Sequence, residues 1–162
     1  MKPWHQRPIE IRNLLNPAFC GLVLSRAMTG YEEDDDRGIP FSLLLLILPL
    51  CLHKETRSIL ARGSRSYLLK AIETHPEILV GFPRRTTAMM SYTFEALGLL
   101  MQLGCFEVTA DGRLKSIEKR VRKSLTGTPE SLEIQRVARF VGKEFARVSD
   151  RVTIYTSLGI KP

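Results

Sequence analysis

The densest grouping of side chains able to move protons is in the stretch LHKETR, where His53, Lys54, Glu55 and Arg57 fall within five residues. Such a group could serve acid–base chemistry, but no nucleophile accompanies it. Its plainer reading is a polar helix junction in which Glu55 pairs with Lys54 or Arg57. The three histidines, His5, His53 and His75, are too scattered to form a catalytic or metal constellation. Cys20, Cys51 and Cys105 form no CxxC pair, and their odd number predicts reduced, mostly buried thiols in a reducing compartment. Neither HExxH, GxSxG nor the G-x-x-x-x-G-K-[ST] phosphate loop occurs, so ATP hydrolysis by this chain alone is not expected. Five consecutive acids, Glu32 to Asp36, could attract a metal or a basic partner. Carboxylates adjacent in sequence fan out instead of converging, which favours a mobile surface loop. The expectation is a chain without catalytic site, metal or cofactor.

Positive charge is the more informative signal. The formal net charge is +7, and it is unevenly placed: residues 1–82 carry 10 Lys and Arg against 9 Asp and Glu, whereas residues 83–162 carry 14 against 8. Three groups stand out as candidate phosphate contacts. Arg113, Lys115, Lys119, Arg120, Arg122 and Lys123 follow one another with Glu118 as the single acid between them. Arg136, Arg139, Lys143 and Arg147 recur at helical spacing, away from an apolar stripe. Arg84 and Arg85 sit where a helix begins, and amides exposed there add to anion affinity. Lysine and arginine more commonly cover a solvated face, so the pattern permits DNA contact through phosphates without demonstrating it.

The elements that must position these side chains are mainly helical. Asn16 followed by Pro17 predicts a capped helix from Pro17 to about Thr29, ending near Gly30. Pro40 opens an apolar helix through Leu52, with Pro49 as its kink. The run Ile39–Leu52 is shorter than the about 20 residues that cross a bilayer, so a buried core helix is expected. KETRSILARG continues as a short helix, Ser64 or Ser66 caps YLLKAIETH, and Pro76 stops it. A long helix from Pro83 or Thr86 to about Leu103 is apolar over most of its circumference and reads as central. After Gly104 the period changes to 2, and Asp111-Gly112 marks a turn, predicting a β-hairpin over about 105–116 with Leu114 inward and Arg113 and Lys115 outward. Residues 116–127 read as a flexible bridge. Thr128-Pro129 opens a long C-terminal helix whose stripe is Ile134, Val137, Ala138, Val141, Phe145 and Val148, and Asp150 caps a last turn. The fold class expected is a winged-helix-like, mainly α single domain over 1–162, with an N-terminal helix and arm (1–30), a helical core with its wing (40–116) and C-terminal helices (128–162). MKPWHQRPIEIRN lacks the apolar core of a secretory leader, which with the reduced thiols predicts a cytoplasmic protein.

Three stretches, RPIEIRNLLNPAFCGLVLSRAMTGY, PFSLLLLILPLCLHKETR and IYTSLGIKP, carry a resemblance over nearly the whole chain. In combination, Asn16-Pro17-Ala18-Phe19, Leu48-Pro49-Leu50, His53-Lys54-Glu55-Thr56 and Gly159-Ile160-Lys161-Pro162 resemble the middle component of bacterial three-component ABC systems. That subunit is encoded between an SMC-like ATPase and an effector, in systems that overlap with Lamassu-type anti-phage defence. The resemblance implies a non-enzymatic adaptor that docks on the ATPase heads and couples DNA sensing to control of the effector. It assigns no residue a role. The helix Leu43–Leu52 and the tail RVTIYTSLGIKP offer apolar surface for such an interface. A different class remains open: a stand-alone winged-helix transcription regulator, which would be a homodimer with a preferred palindromic site.

Overall fold

Asn16 does what its type predicts. Its side-chain oxygen accepts hydrogen bonds from the Ala18 and Phe19 amides, at 2.8 and 3.4 Å, and launches helix α2, Pro17–Glu32. A computed structural model describes residues 2–62 and 67–161. Ahead of α2 lie a turn at Trp4–Gln6 and the short α1, Ile9–Leu14. After it come β1 (Ile39–Pro40), α3 (Phe41–Leu44), α4 (Ile47–Cys51), α5 (Lys54–Arg62), α6 (Leu68–Thr74) and a turn at Pro76–Leu79. The chain continues with α7 (Phe82–Gln102), β2 (Phe106–Val108), β3 (Arg113–Ser116), α8 (Pro129–Val148) and α9 (Arg151–Ser157). The fold is mainly α with one small antiparallel sheet. Ser64 and Ser66, expected to cap α6, lie outside the described residues.

The central helix is α2, not α7. From Cys20 to Tyr31 nearly every side chain of α2 is buried, against α8 on one flank and α7 on another. α7 keeps a solvent face with Phe94 and Met101 exposed, because its apolar excess exceeds what α2 and α4 can cover. α2 also runs past the expected stop at Gly30, through Glu32. Gly30 is a point of helix contact instead of a terminator: a Cβ there would lie 2.0 Å from the Arg139 carbonyl oxygen of α8. Reciprocally, a Cβ at Gly142 would lie 1.9 Å from the Ala27 carbonyl oxygen. The two backbones thus meet at two points, at each of which one of the helices carries no side chain.

The apolar run 39–52 is buried, yet it is not one helix kinked at Pro49. It divides at Leu45–Leu46, so Pro49 falls in the first turn of α4, where no amide is needed and no preceding carbonyl is displaced. Leu43, Leu44, Leu46, Leu48 and Leu50 are all core residues. That removes Leu43–Leu52 as apolar surface for a partner, and in the tail Ile154 and Leu158 are buried as well, leaving Val152 outward. No helix among the described residues is long and apolar enough to cross a membrane.

The hairpin forms with Phe106 opposite Ser116, Glu107 opposite Lys115 and Val108 opposite Leu114. A third strand was not legible in the sequence: β1 pairs antiparallel with β3, Ile39 opposite Leu114, giving the order β1-β3-β2. Gly38 permits the approach, with φ +94° and its Cα facing the Leu114 carbonyl. Thr128 and Asp150 cap α8 and α9 as their positions predict, and all six stripe residues of α8 pack into the core, Val148 only partly buried.

Candidate nucleic-acid interface

The cationic candidates divide into those the fold consumes and those it presents. Arg85 is consumed. Its guanidinium folds back to donate to the Val80 and Ile78 carbonyls, at 2.6 and 3.1 Å, and lies over the Phe82 ring. It secures the turn before α7 and is turned away from any phosphate approaching the helix start; Arg84 beside it points outward. α7 has 21 residues, so Arg84 is separated from the hairpin at the other end by roughly 27 Å of helix.

Arg113 is consumed too. It donates to the Gly38 carbonyl at 3.0 Å and pairs with Asp111 and Asp35. Asp35 also receives Arg37, whose hydrogen bond does most to pull the Asp35 carboxyl down to about 2, with Arg113 adding to it. The acidic run is therefore not a mobile loop. Glu32 accepts from the Ser116 amide at 2.7 Å, Glu33 binds Arg139 and Lys143, and Asp34 binds Arg147 at 2.9 Å. Partial burial pushes the Glu33 carboxyl up, but the hydrogen bonds from Lys143 and Arg139 outweigh it and leave it below the ordinary value. Arg139 and Lys143, read as phosphate contacts, are thus already matched by acids. Local spacing could not reveal this, because the acids lie more than 100 residues away in sequence.

The remaining candidates, Lys115, Lys119, Arg120, Arg122, Lys123 and Arg136, make no ion pair with any described carboxylate. Lys115 faces Glu107 across the ladder without closing on it. Lys119, Arg120, Arg122 and Lys123 are exposed on a loop that is anchored, where a flexible bridge was expected. Its anchor is Arg26, a buried cation in the middle of apolar α2. The Arg26 guanidinium donates to the Arg122 carbonyl at 2.6 Å, the Ser124 carbonyl at 3.1 Å and Gln135 Oε1 at 3.1 Å. Gln135 in turn donates to the Thr126 carbonyl at 3.0 Å. Burial pulls the Arg26 guanidinium below its ordinary pKa, and nearby Arg139 adds to this. With the loop carbonyls turned in to Arg26 and Gln135, its cationic side chains are left outside. Lys119 occupies the left-handed region, φ 64°, at a tight turn closed from the Arg120 amide to the Ile117 carbonyl. Between the loop and α2 runs a groove of about 320 Å³ lined by Ser25, Thr29, Lys119 and Lys123, with Glu33 on its wall. Arg26 and Gln135 escaped the sequence reading; the signal for Arg26 was an arginine placed inside CGLVLSRAM.

The LHKETR cluster is spent on structure. His53 Nδ1 meets the Thr56 hydroxyl at 2.9 Å and caps α5. Arg57, 2% exposed, pairs with Glu130 and Glu133 of α8 and donates to the Cys51 and Leu52 carbonyls. Glu55 pairs with neither Lys54 nor Arg57, since α8 supplies better-placed acids for Arg57. Among the described residues no three His, Cys, Asp or Glu side chains are grouped to hold a metal ion.

The site so assembled is a rigidly mounted basic loop beside a charge-matched helix face. The family model described as "ABC-three component (ABC-3C) system Middle Component 3" matches residues 4–162. No curated protein and no solved structure matches the chain. The match runs from the Trp4 turn through α9, and includes Asn16-Pro17-Ala18-Phe19 at the start of α2 and His53-Lys54-Glu55-Thr56 at the start of α5. The chain therefore belongs to the Middle Component 3 family of ABC-three component systems.

Proposed function

We propose that this middle component is a non-catalytic adaptor, of the kind found in Lamassu-type anti-phage defence. It docks on the SMC-like ATPase of its system, contacts DNA backbone through the loop 119–123, and couples that contact to control of the effector. The observation that carries the DNA part is the loop itself: Lys119, Arg120, Arg122 and Lys123 project from a backbone that Arg26 and Gln135 hold in place. Preorganised cations lose little freedom when they meet phosphates. For docking, the apolar surface on offer is the outer face of α7, where Phe94 stacks on Phe41 at 6.0 Å and Met101 is exposed. A stand-alone regulator that reads base edges is the weaker fit. Between Arg84 and Gln102 the exposed α7 face carries only the short hydroxyls of Thr87 and Ser91 as hydrogen-bonding side chains, with Ala88, Phe94, Gly98 and Met101 at its other positions, which is little with which to read base edges.

Co-expression with the ATPase encoded beside it should give a stoichiometric complex. DNA binding by that complex should weaken with salt, and replacing Lys119, Arg120, Arg122 and Lys123 together by Gln should flatten the log–log salt slope by roughly 3–4 units. Failure to form a complex rejects the adaptor. An unchanged slope rejects the loop as the phosphate contact.

A further inference from the structure

On α8, Arg136, Arg139, Lys143 and Arg147 follow at intervals of three, four and four residues, which places them along one strip about 16 Å long. Three of the four are covered by the end of α2. Glu33 Oε1 accepts from Arg139 Nε at 2.5 Å, Glu33 Oε2 from Lys143 Nζ at 2.9 Å, and Asp34 Oδ2 from Arg147 Nε at 2.9 Å; Arg147 donates as well to Glu144 of its own helix, at 2.8 Å. These two acids do nothing favourable for their own helix. They stand at the C-terminal end of α2, where the helix dipole disfavours negative charge and where the last turn has no basic residue. What they do is neutralise α8. The close crossing at Gly30 sets the distance, and the Glu32 bond to Ser116 and the Asp35 bond to Arg113 hold the acids in place.

The strip is continuous with the basic loop. Arg26 joins them: it holds the carbonyls of Arg122 and Ser124 and lies close enough to Arg139 for mutual repulsion to lower its own pKa. We propose that Arg139, Lys143 and Arg147 form a second phosphate-contact strip that Glu33 and Asp34 mask: in the free subunit these acids stand in for DNA phosphates and keep the strip out of contact with duplex docked on the loop. This rests on the reading of the loop as a DNA contact. The pairs are suited to exchange. Arg139 and Arg147 are about half exposed, and pairs of this kind are weak and screened by salt. Tethered acids nonetheless win while the protein is alone, because their effective concentration is high. The evenly spaced charge along a straight helix face matches a regular duplex backbone better than an irregular acidic peptide.

The test measures binding of a duplex of about 30 bp, by fluorescence anisotropy, over roughly 50–200 mM salt. Glu33→Gln with Asp34→Asn uncovers Arg139 and Lys143, while Arg147 keeps its pair with Glu144, so the slope should steepen by about 1.8 units and the loss of affinity across that range should grow by about 12-fold. Adding Arg139→Gln, Lys143→Gln and Arg147→Gln to that variant should abolish the gain, while the same three changes in the unaltered chain should move the slope little. Should the double variant fail to fold, judged by circular dichroism, Glu33→Gln alone uncovers two cations and should steepen the slope by about 1.8 units. No gain on removing the acids overturns the masking. A slope flattened by about 1.8 units or more when the cations are removed from the unaltered chain also overturns it, because the strip is then already in contact. Equal gain for polyglutamate in place of DNA overturns the choice of nucleic acid as the strip's partner. The outcome is separable from that of the loop variant. If the four loop changes leave the slope unchanged while removal of the acids steepens it, the loop reading fails and the masked strip stands.

Discussion

Gly142→Ala is the sharpest test of how α2 and α8 meet. The added methyl would lie 1.9 Å from the Ala27 carbonyl oxygen and 2.7 Å from its carbon, and ordinary contact begins near 3.4 Å. Both atoms belong to helix backbone, so no side chain can rotate out of the way. The helices must separate by roughly 1.5 Å at the crossing, opening the layer formed by Val23, Leu24, Val141 and Phe145, all of them fully buried. Overpacking of this kind costs about 1–3 kcal/mol, and a backbone-to-backbone clash belongs at the upper end. Alanine returns about 1 kcal/mol through helix propensity. The net expectation is a loss of about 2 kcal/mol, read as a urea midpoint lowered by about 1 M or a Tm lowered by about 4–8 °C. Gly98→Ala on α7 is the control: nothing lies within 4 Å of its new methyl, so propensity alone should act and stability should rise by about 0.4–1 kcal/mol. Gly30→Ala should cost much as Gly142→Ala does, and the pair should cost less than the sum, since helices already parted by one methyl receive the second more easily. If Gly142→Ala matched Gly98→Ala in sign, the close crossing would be refuted.

Two other outcomes follow from the charge-bearing core. Arg26→Met keeps the apolar stem and removes the donors that hold the carbonyls of Arg122 and Ser124, so trypsin should cut at Lys119–Lys123 roughly tenfold faster in the variant; an equal rate would show that Arg26 does not anchor the loop. The Asp35 carboxyl is held at about 2, below its ordinary 3.8, so it stabilises the fold fully above pH ~4 and loses that contribution as pH falls toward ~2. Urea midpoints of Asp35→Asn should accordingly decline less between pH 5 and 3 than those of the unaltered chain, and parallel decline would remove Asp35 as the cause.

What the sequence disclosed was what depends on near neighbours. Asn16, Thr128 and Asp150 cap the helices that follow them because a cap is a bond to an amide two or three residues on. The hairpin was legible because alternation and the Asp-Gly turn agree within a dozen residues. β1 was not, since two residues are too few to show a period, and it is a strand only because Leu114 is beside it. Gly30 reads as a helix stop until Arg139 is known to lie against it. The acids Glu33 and Asp34 likewise read as a solvated loop until α8 brings Arg139, Lys143 and Arg147 to them. For the candidate site, the run of cations was visible. Which of them were already spoken for was not, because each pairing is a property of the assembled helices.

The partnership of α2 with α8 also sets an order in time. Arg26 and Gln135, which join the two helices, are 109 residues apart in the chain. Contacts of such span form late, because the loop between them must be closed before they contribute anything. As the chain leaves the ribosome, α2 emerges early with apolar side chains on nearly every face, and the helix that covers its largest flank has yet to be made. α7 arrives in between and can shelter one side. The other side, including the backbone contact points at Ala27 and Gly30, waits for α8. For that interval the nascent protein exposes a sticky helix to whatever surrounds it. Synthesis and folding of this subunit are therefore coupled through its last long helix.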